Sequence, residues 1–267
     1  MGAYRIVTLY SGSGGNSTFI CANGTSILID AGKSAKSLCC ALREIGSDIG
    51  EIDAIFITHE HSDHVSALET LSKHHSIPIH ITNDSARKFD RTPDSPVHAN
   101  LVRHDVCFCE TVGSMTVSSF RTPHDSMMSV GYRIELDCEN AKHVIGLATD
   151  IGYVSDSVCK GLFGCEAIVL ESNHDACMLE GGPYPQYLKT RIRSKKGHLD
   201  NCDSAHFAAR LAENGTKGFI LAHLSAENNL PELAFDEANS AISDPSIRIC
   251  VASPDSPTEL FMEEVCT

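Results

Sequence analysis

Two mixed β-sheets packed face to face, with helices on their outer faces, are the fold this sequence predicts, and three observations lead to it. Strand-like and helix-like segments alternate along the chain, and neither a repeat nor a low-complexity linker splits them. The first three strand-like runs are separated only by Ser11-Gly12-Ser13-Gly14-Gly15-Asn16 and Asn23-Gly24, the punctuation of an antiparallel meander. The 267 residues are ample to bury a core, and residues 1–267 read as one domain of the α/β (α+β) class.

Residues 5–9, 18–22 and 26–30 are short apolar or β-branched runs, the last ending in Asp30. A helix is expected over 37–45, a strand over 54–58, a helix over 65–75 and a strand over 77–81. Residues 87–104 are polar and carry Pro93 and Pro96, which predicts a loop. Strands follow at 116–120, 131–136 and 144–148, then a helix from 155 and a strand at 167–170. After a Gly- and Pro-rich loop come a helix at 202–213, a strand at 219–222 ending in His223, a helix at 231–242 and a strand at 247–251.

Composition narrows the function classes. No apolar run reaches membrane-spanning length, and Met1-Gly2-Ala3-Tyr4-Arg5 leads straight into a strand rather than into a signal peptide. The twelve cysteines include no C-x-x-C pair, and they read as reduced, mostly buried small hydrophobes of a cytoplasmic protein. A net charge of −14 argues against binding nucleic acid with the whole surface, though not with a cleft that holds divalent cations. The glycine loop at 11–17 lacks a P-loop lysine and runs into a strand, so no nucleotide cofactor is expected; its backbone N–H groups could face a substrate.

The densest chemistry is Thr58-His59-Glu60-His61-Ser62-Asp63-His64, directly after Ala54-Ile55-Phe56-Ile57. Imidazole with carboxylate suits zinc, manganese or iron. His59 and His61 alternate along an extended segment, whereas Asp63 and His64 open the next helix, so the pairs approach from different directions and can seed two metal positions. Asp30, His124, Asp150 and His223 each follow an apolar strand or the turn after one, where loops on one sheet edge can gather them. His74, His75 and His80 have no partner at ligand spacing and read as surface or packing residues.

The series Asp30, His59-x-His61-x-Asp63-His64, His124, Asp150, His223 resembles the five motifs of the metallo-β-lactamase superfamily, in order and over nearly the whole chain. The resemblance implies the αββα sandwich with a binuclear site between the sheets. By matching positions, His59, His61 and His124 would hold one ion and Asp63, His64 and His223 the other. Asp150 would bridge them and Asp30 would orient ligands from behind. Ser11–Asn16, Ala148-Thr149-Asp150-Ile151-Gly152-Tyr153, Glu171-Ser172-Asn173-His174-Asp175, Gly182-Pro183-Tyr184-Pro185, Gly197-His198-Leu199 and Ala222-His223-Leu224-Ser225-x-Glu227-Asn228-Asn229 are similar to the YycJ (WalJ) group of single-domain, metal-dependent DNA exonucleases. The stretch from Asp150 to His223 is too short for the domain that ribonuclease J-like enzymes insert, and the exosite arm of ribonuclease Z has no counterpart. Gly15, where relatives tend to carry serine, departs from the pattern and is expected to alter only the turn.

The expected activity is phosphodiester hydrolysis on nucleic acid, a 5′-to-3′ DNA exonuclease using two divalent ions, zinc or manganese with iron also accommodated. Asp63 would orient the attacking water, and His174 or His198 would deliver a proton to the leaving oxygen. Ser13, Asn16, Asn173 and Asn228 are the expected polar substrate contacts. Lys189 and Arg191 begin the one dense basic run, which continues through Arg193, Lys195 and Lys196 and is the expected phosphate contact, with a solvated helix face as its rival. Nucleic acid, DNA above all, is thus the expected partner, together with DNA-repair proteins. The alternative keeps the ions and changes the substrate to a small thioester or ester, as in hydroxyacylglutathione hydrolases. A non-catalytic metal-binding scaffold ranks last, because seven ligands over two ions leave room for water.

Overall fold

Period-two alternation sorts the strand side chains into three apolar layers. The computed structural model describes residues 4–138 and 141–261. In its first sheet, β1 (Tyr4–Tyr10), β2 (Ser17–Ala22) and β3 (Thr25–Ile29) form an antiparallel meander, and β4 (Ala54–Phe56), β5 (Ile79–Thr82) and β6 (Leu101–His104) continue it in parallel. The second sheet reverses this plan. There β7 (Cys109–Val112), β8 (Met115–Arg121), β9 (Val130–Cys138) and β10 (Ala141–Ala148) are antiparallel, and β11 (Ala167–Glu171), β12 (Gly218–Ala222) and β13 (Arg248–Val251) run parallel to β10. Among the described residues the last strand, β14 (Thr258–Leu260), crosses back to pair with β1, giving two sheets of seven strands.

Ile27 and Ile29 of β3 face the layer between the sheets, where they meet Tyr132, Ile134, Ile145, Leu147, Val169 and Ile220. Leu28, between them in sequence, points the other way onto Leu38, Leu42, Leu68 and Leu71 of the outer helices. The second sheet does the same, with Ile168, Leu170 and Phe219 turned outward onto Phe207 and Leu211. Central strands covered on both faces read as unbroken apolar runs, which makes them the easiest elements to see in sequence. The αββα arrangement expected from the sequence is therefore the one observed.

Several local expectations need correction. Residues 87–104 are not all loop: two short 3-10 turns lead into β6, which pairs with β5. The polar, half-buried edge strands β6 and β7 carry no apolar run, and β14 is only three residues long, so none announces itself. The Gly-Pro-rich stretch contains short helices at Ala176–Gly181 and Gln186–Ile192, and the helix expected over 65–75 is two pieces, Ser62–Val65 and Leu68–His74. Among the described cysteines only Cys165 is fully buried, so most are not core residues. His80 packs on Phe56 as expected, but it does have a partner: its Nδ1 lies 2.9 Å from His104 Nε2, and the two form a donor group with Glu110. No described helix is long and apolar enough to cross a membrane.

A fully buried tyrosine ties the two sheets across the central layer. Tyr132, fully buried, donates its hydroxyl to the carbonyl of Ile57 at 2.6 Å, joining β9 to the segment that leads into the histidine motif. Tyr132→Phe leaves that carbonyl unpaired, which costs about 1–3 kcal/mol. A fall in melting temperature of a few degrees is the expected outcome of a thermal scan, since each kcal/mol shifts a chain of this size by about 2–4 °C.

Candidate metal centre

The parallel strands of both sheets end at one edge, where each chain segment must turn sharply to continue. Asp30 follows β3, Asp150 follows β10 and His223 follows β12, and all three sit in the left-handed region, at φ 63°, 57° and 59°. That conformation disfavours residues with a Cβ and concentrates at functional sites. The histidine motif arrives from β4, with His59 on the turn and Asp63 and His64 in the short helix Ser62–Val65. Gly32 makes the close approach possible: a Cβ there would lie 1.6 Å from the carbonyl oxygen of Asp63. The backbones lock at this point, because Asn16 N–H donates to the Asp63 carbonyl at 2.8 Å and Ala31 N–H to that of His64 at 2.8 Å.

The imidazoles of His59, His64, His124, His198 and His223 are each held from behind at Nδ1. His64 Nδ1 donates to Asp30 Oδ2 at 2.8 Å, and the same carboxylate accepts Thr58 N–H and Thr58 Oγ1, each at 2.8 Å. His59 Nδ1 lies 3.1 Å from Thr58 Oγ1, and His124 Nδ1 3.2 Å from the carbonyl of Gly197. His223 Nδ1 and His198 Nδ1 reach Glu171 Oε1 at 3.1 and 2.8 Å. An imidazole anchored at Nδ1 presents Nε2 forward, the arrangement that orients a metal ligand.

The forward atoms converge. His64 Nε2 is 3.5 Å from Asp63 Oδ2 and 3.4 Å from Asp150 Oδ2; His223 Nε2 is 3.7 Å from Asp63 Oδ2 and 3.6 Å from Asp150 Oδ1. His124 Nε2 is 3.5 Å from Asp150 Oδ1, and the His59, His61 and His124 rings lie 4.5 to 5.2 Å apart. His59, His61 and His124 form one set of donors within 4.8 Å of one another, and Asp63, His64 and His223 form a second. Asp150 stands between them. The Nε2 atoms of His59, His124 and His223 and Oδ2 of Asp150 are buried with no hydrogen-bond partner. These residues fit a divalent cation, whose bonds would use the atoms that the protein leaves unpaired.

The electrostatics agree. Burial alone would raise the Asp150 carboxyl, but His223, His64, His59 and His124 around it hold it well below the ordinary carboxylate value. Asp63 is likewise lowered: burial would raise it, but the neighbouring His223 and His64 imidazoles outweigh that. His64 shows the negative field from the other side: burial would lower it, yet Asp30 and Asp150 raise it to about 10. A proton or a cation satisfies that field equally.

The remaining sequence candidates fall in three places. Asn16 and Asn173 stand behind the centre: Asn16 Nδ2 is 3.4 Å from Asp63 Oδ2, and Asn173 Nδ2 donates to the His223 carbonyl at 2.7 Å. His198 lies at the centre's rim, its ring 5.1 Å from that of His124 and 5.2 Å from that of His223. His174 belongs to none of the donor sets; it is buried beside Asp200, with which its backbone forms a bridge. Asn228 is buried, and Ser13 is exposed on the glycine turn. The basic run is largely engaged within the protein: Lys189 Nζ donates to the Glu180 carbonyl, Arg193 pairs with Glu180, and Arg191 donates to Asp125 Oδ2 at 2.5 Å.

Glu171 is a site residue that the sequence motifs do not single out. Its fully buried carboxylate accepts the N–H groups of Asp150, Ile151 and Leu199 at 3.2, 2.8 and 3.1 Å, besides the two imidazoles. Burial would raise it, but the His198 charge and hydrogen bond, then His223, bring it down to about 2. The available signal is its position at the end of an apolar strand, the feature that marks Asp30. Glu171→Gln removes one charged acceptor and turns an amide toward N–H donors. The expected result is metal affinity about 10–100-fold weaker in competition with a chelator.

Residues 10–112 match the family model of the metallo-beta-lactamase superfamily. The exodeoxyribonuclease WalJ of Streptococcus pneumoniae serotype 2 is 32% identical over 265 residues, covering 96% of this chain and 97% of that protein. The exodeoxyribonuclease YycJ of Bacillus anthracis is 34% identical over 226 residues, covering 85% of this chain and 84% of its own length. Among solved structures, the metallo-beta-lactamase fold protein YhfI of Bacillus subtilis superposes with a TM-score of 0.71 at 17% identity, over 97% of this chain and all of that one, a likeness of fold. Identity of 32–34% along most of the chain, on the fold and donor sets described above, places this chain in the metallo-β-lactamase superfamily, in the branch that holds WalJ and YycJ.

Proposed function

We infer that this chain is a two-metal phosphodiesterase that removes nucleotides from an end of DNA, in the 5′-to-3′ direction. The observation that carries the metal assignment is the group of buried Nε2 and carboxylate atoms with no protein partner. The substrate follows from likeness to two exodeoxyribonucleases along most of the chain. In this reading His59, His61 and His124 would hold one ion and Asp63, His64 and His223 the other, with Asp150 available to both. Zinc and manganese suit these ligands, and iron is accommodated. Bound divalent ions supply charge to the phosphate oxygens and make water acidic enough to ionise near neutral pH.

The protein's own groups do the rest. Asp63, kept ionised by His64 and His223, accepts a hydrogen bond from the attacking water and orients it. Asp30 and Glu171 fix the imidazoles so that none reorients as charge develops. Of the two histidines considered as proton donors, the geometry favours His198. Its Nδ1 is tied to Glu171, Nε2 has no hydrogen bond among the described residues, and its ring borders the metal ligands. The leaving oxygen takes its proton from that ring.

Manganese-loaded protein should shorten an end-labelled duplex oligonucleotide, and Asp63→Ala should be slower by about 100-fold or more. Metal-loaded protein that degrades no DNA or RNA, yet hydrolyses S-lactoylglutathione, would move the site to carbonyl chemistry. His198→Asn should lower DNA hydrolysis by about 100–10,000-fold and spare a p-nitrophenyl phosphodiester, whose leaving group needs no proton. His174→Asn should change neither rate.

A further inference from the structure

Beside His124 a cavity of about 730 Å³ opens that the reaction described above does not use. One wall is the segment Arg121–Ser129 without Asp125; the other is Tyr153 with Ser155, Asp156 and Ser157, and Lys195 with Lys196. Its volume falls within the roughly 300–1,000 Å³ of sites for drug-sized ligands, which suits a nucleotide unit.

Its chemistry is unusual for this surface. Most cations of this acidic chain are engaged, as Lys33, Arg43, Arg103 and Arg193 are with carboxylates. Arg121, Lys195 and Lys196 are exposed and form no ion pair among the described residues, and all three line this cavity. Tyr153 and Met127 are each 44% exposed there, and the Lys195 ammonium sits 5.9 Å from the centre of the Tyr153 ring. Cations without ion pairs beside a half-exposed aromatic ring are what a single-stranded nucleic acid needs: charge for the phosphates and a surface for a base.

Both walls are built onto the metal centre. Tyr153 follows Asp150 by three residues, and Gly152 N–H donates to the Pro123 carbonyl at 2.7 Å. Gly152 also lets the lysine segment close in, because a Cβ there would lie 2.4 Å from the backbone of Lys195. The two residues after Lys196 bind the centre directly, Gly197 through its carbonyl to His124 and His198 to Glu171. The opposite wall is fixed by Met127 N–H donating to Glu60 Oε1 at 2.8 Å, within the histidine motif. A strand leaving the centre past His124 therefore enters a rigid, positively charged groove.

We propose that this groove holds the single-stranded part of the substrate next to the reacting phosphate, with a base stacked on Tyr153 and phosphates on Lys195, Lys196 and Arg121. The proposal rests on the nucleic-acid reading above. Two measurements on the 267-residue protein separate them: anisotropy of a fluorescein-labelled oligothymidylate with calcium in place of manganese, and manganese-dependent turnover of a p-nitrophenyl phosphodiester. Tyr153→Ala should weaken oligonucleotide binding about 5–100-fold, Tyr153→Phe should bind like wild type, and turnover of the small ester should be unchanged in both. Lys195→Ala with Lys196→Ala should flatten the salt dependence of binding by about 0.7 in log–log slope for each phosphate no longer neutralised. The groove assignment is overturned if Tyr153→Ala binds as wild type does, or if Tyr153→Phe binds as weakly as Tyr153→Ala. Wild-type binding that depends on Tyr153, without cleavage of any nucleic acid, would leave the groove standing and remove the exonuclease reading instead.

Discussion

The structure depends on imidazole rings held by one nitrogen so that the other can face a common point. His59, His64, His124, His198 and His223 are anchored at Nδ1 by a hydroxyl, a carbonyl or a carboxylate. The arrangement is costly by itself. A buried polar atom without a partner costs about 1–3 kcal/mol, and four such atoms approach the net stability of about 5–15 kcal/mol typical of a folded protein. A divalent cation turns the same atoms from a liability into ligands, and metal binding then contributes to folding.

The backbone is strained in the same place. Asp30, Asp150 and His223 each hold a left-handed conformation costing about 1–3 kcal/mol, and each ends a strand that packs on both faces. The buried strands over-determine these turns, so the side chains come within 3.4 to 3.7 Å of one another although they arrive from both sheets. Glu171 joins the second sheet's contribution, gathering the turn after β10, the loop at Leu199 and His223 on one carboxylate. Asp30 does the same for the first sheet through Thr58 and His64. Two buried carboxylates thus set the geometry of the centre from opposite sides.

How much of this is legible in the sequence depends on how local the signal is. His59, His61, Asp63 and His64 stand out because four donors lie within six residues after an apolar run. Asp30, Asp150 and His223 show only as polar residues capping strands that both faces cover, and those strands are the ones periodicity can find. Glu171 has the same position but lies inside a longer polar motif, in which Asn173 and His174 are the more conspicuous residues. The basic run is legible only in part. Its spacing is visible, but the pairing of Arg191 with Asp125 and of Lys189 with the Glu180 carbonyl depends on a fold that no spacing encodes. Edge strands β6, β7 and β14 escape because half-exposed strands carry polar residues and leave no unbroken apolar run.

The central claim is that donors from both sheets make two neighbouring cation positions, and His223 tests it hardest, since it lies at the end of β12, far in sequence from the histidine motif. Elemental analysis of purified His223→Ala against wild type reads the outcome directly. Two ions in wild type and close to one in the variant, the ion on His59, His61 and His124 being retained, is the expected result. Unchanged stoichiometry in the variant would take His223 out of the centre and contradict the two-sheet arrangement of ligands.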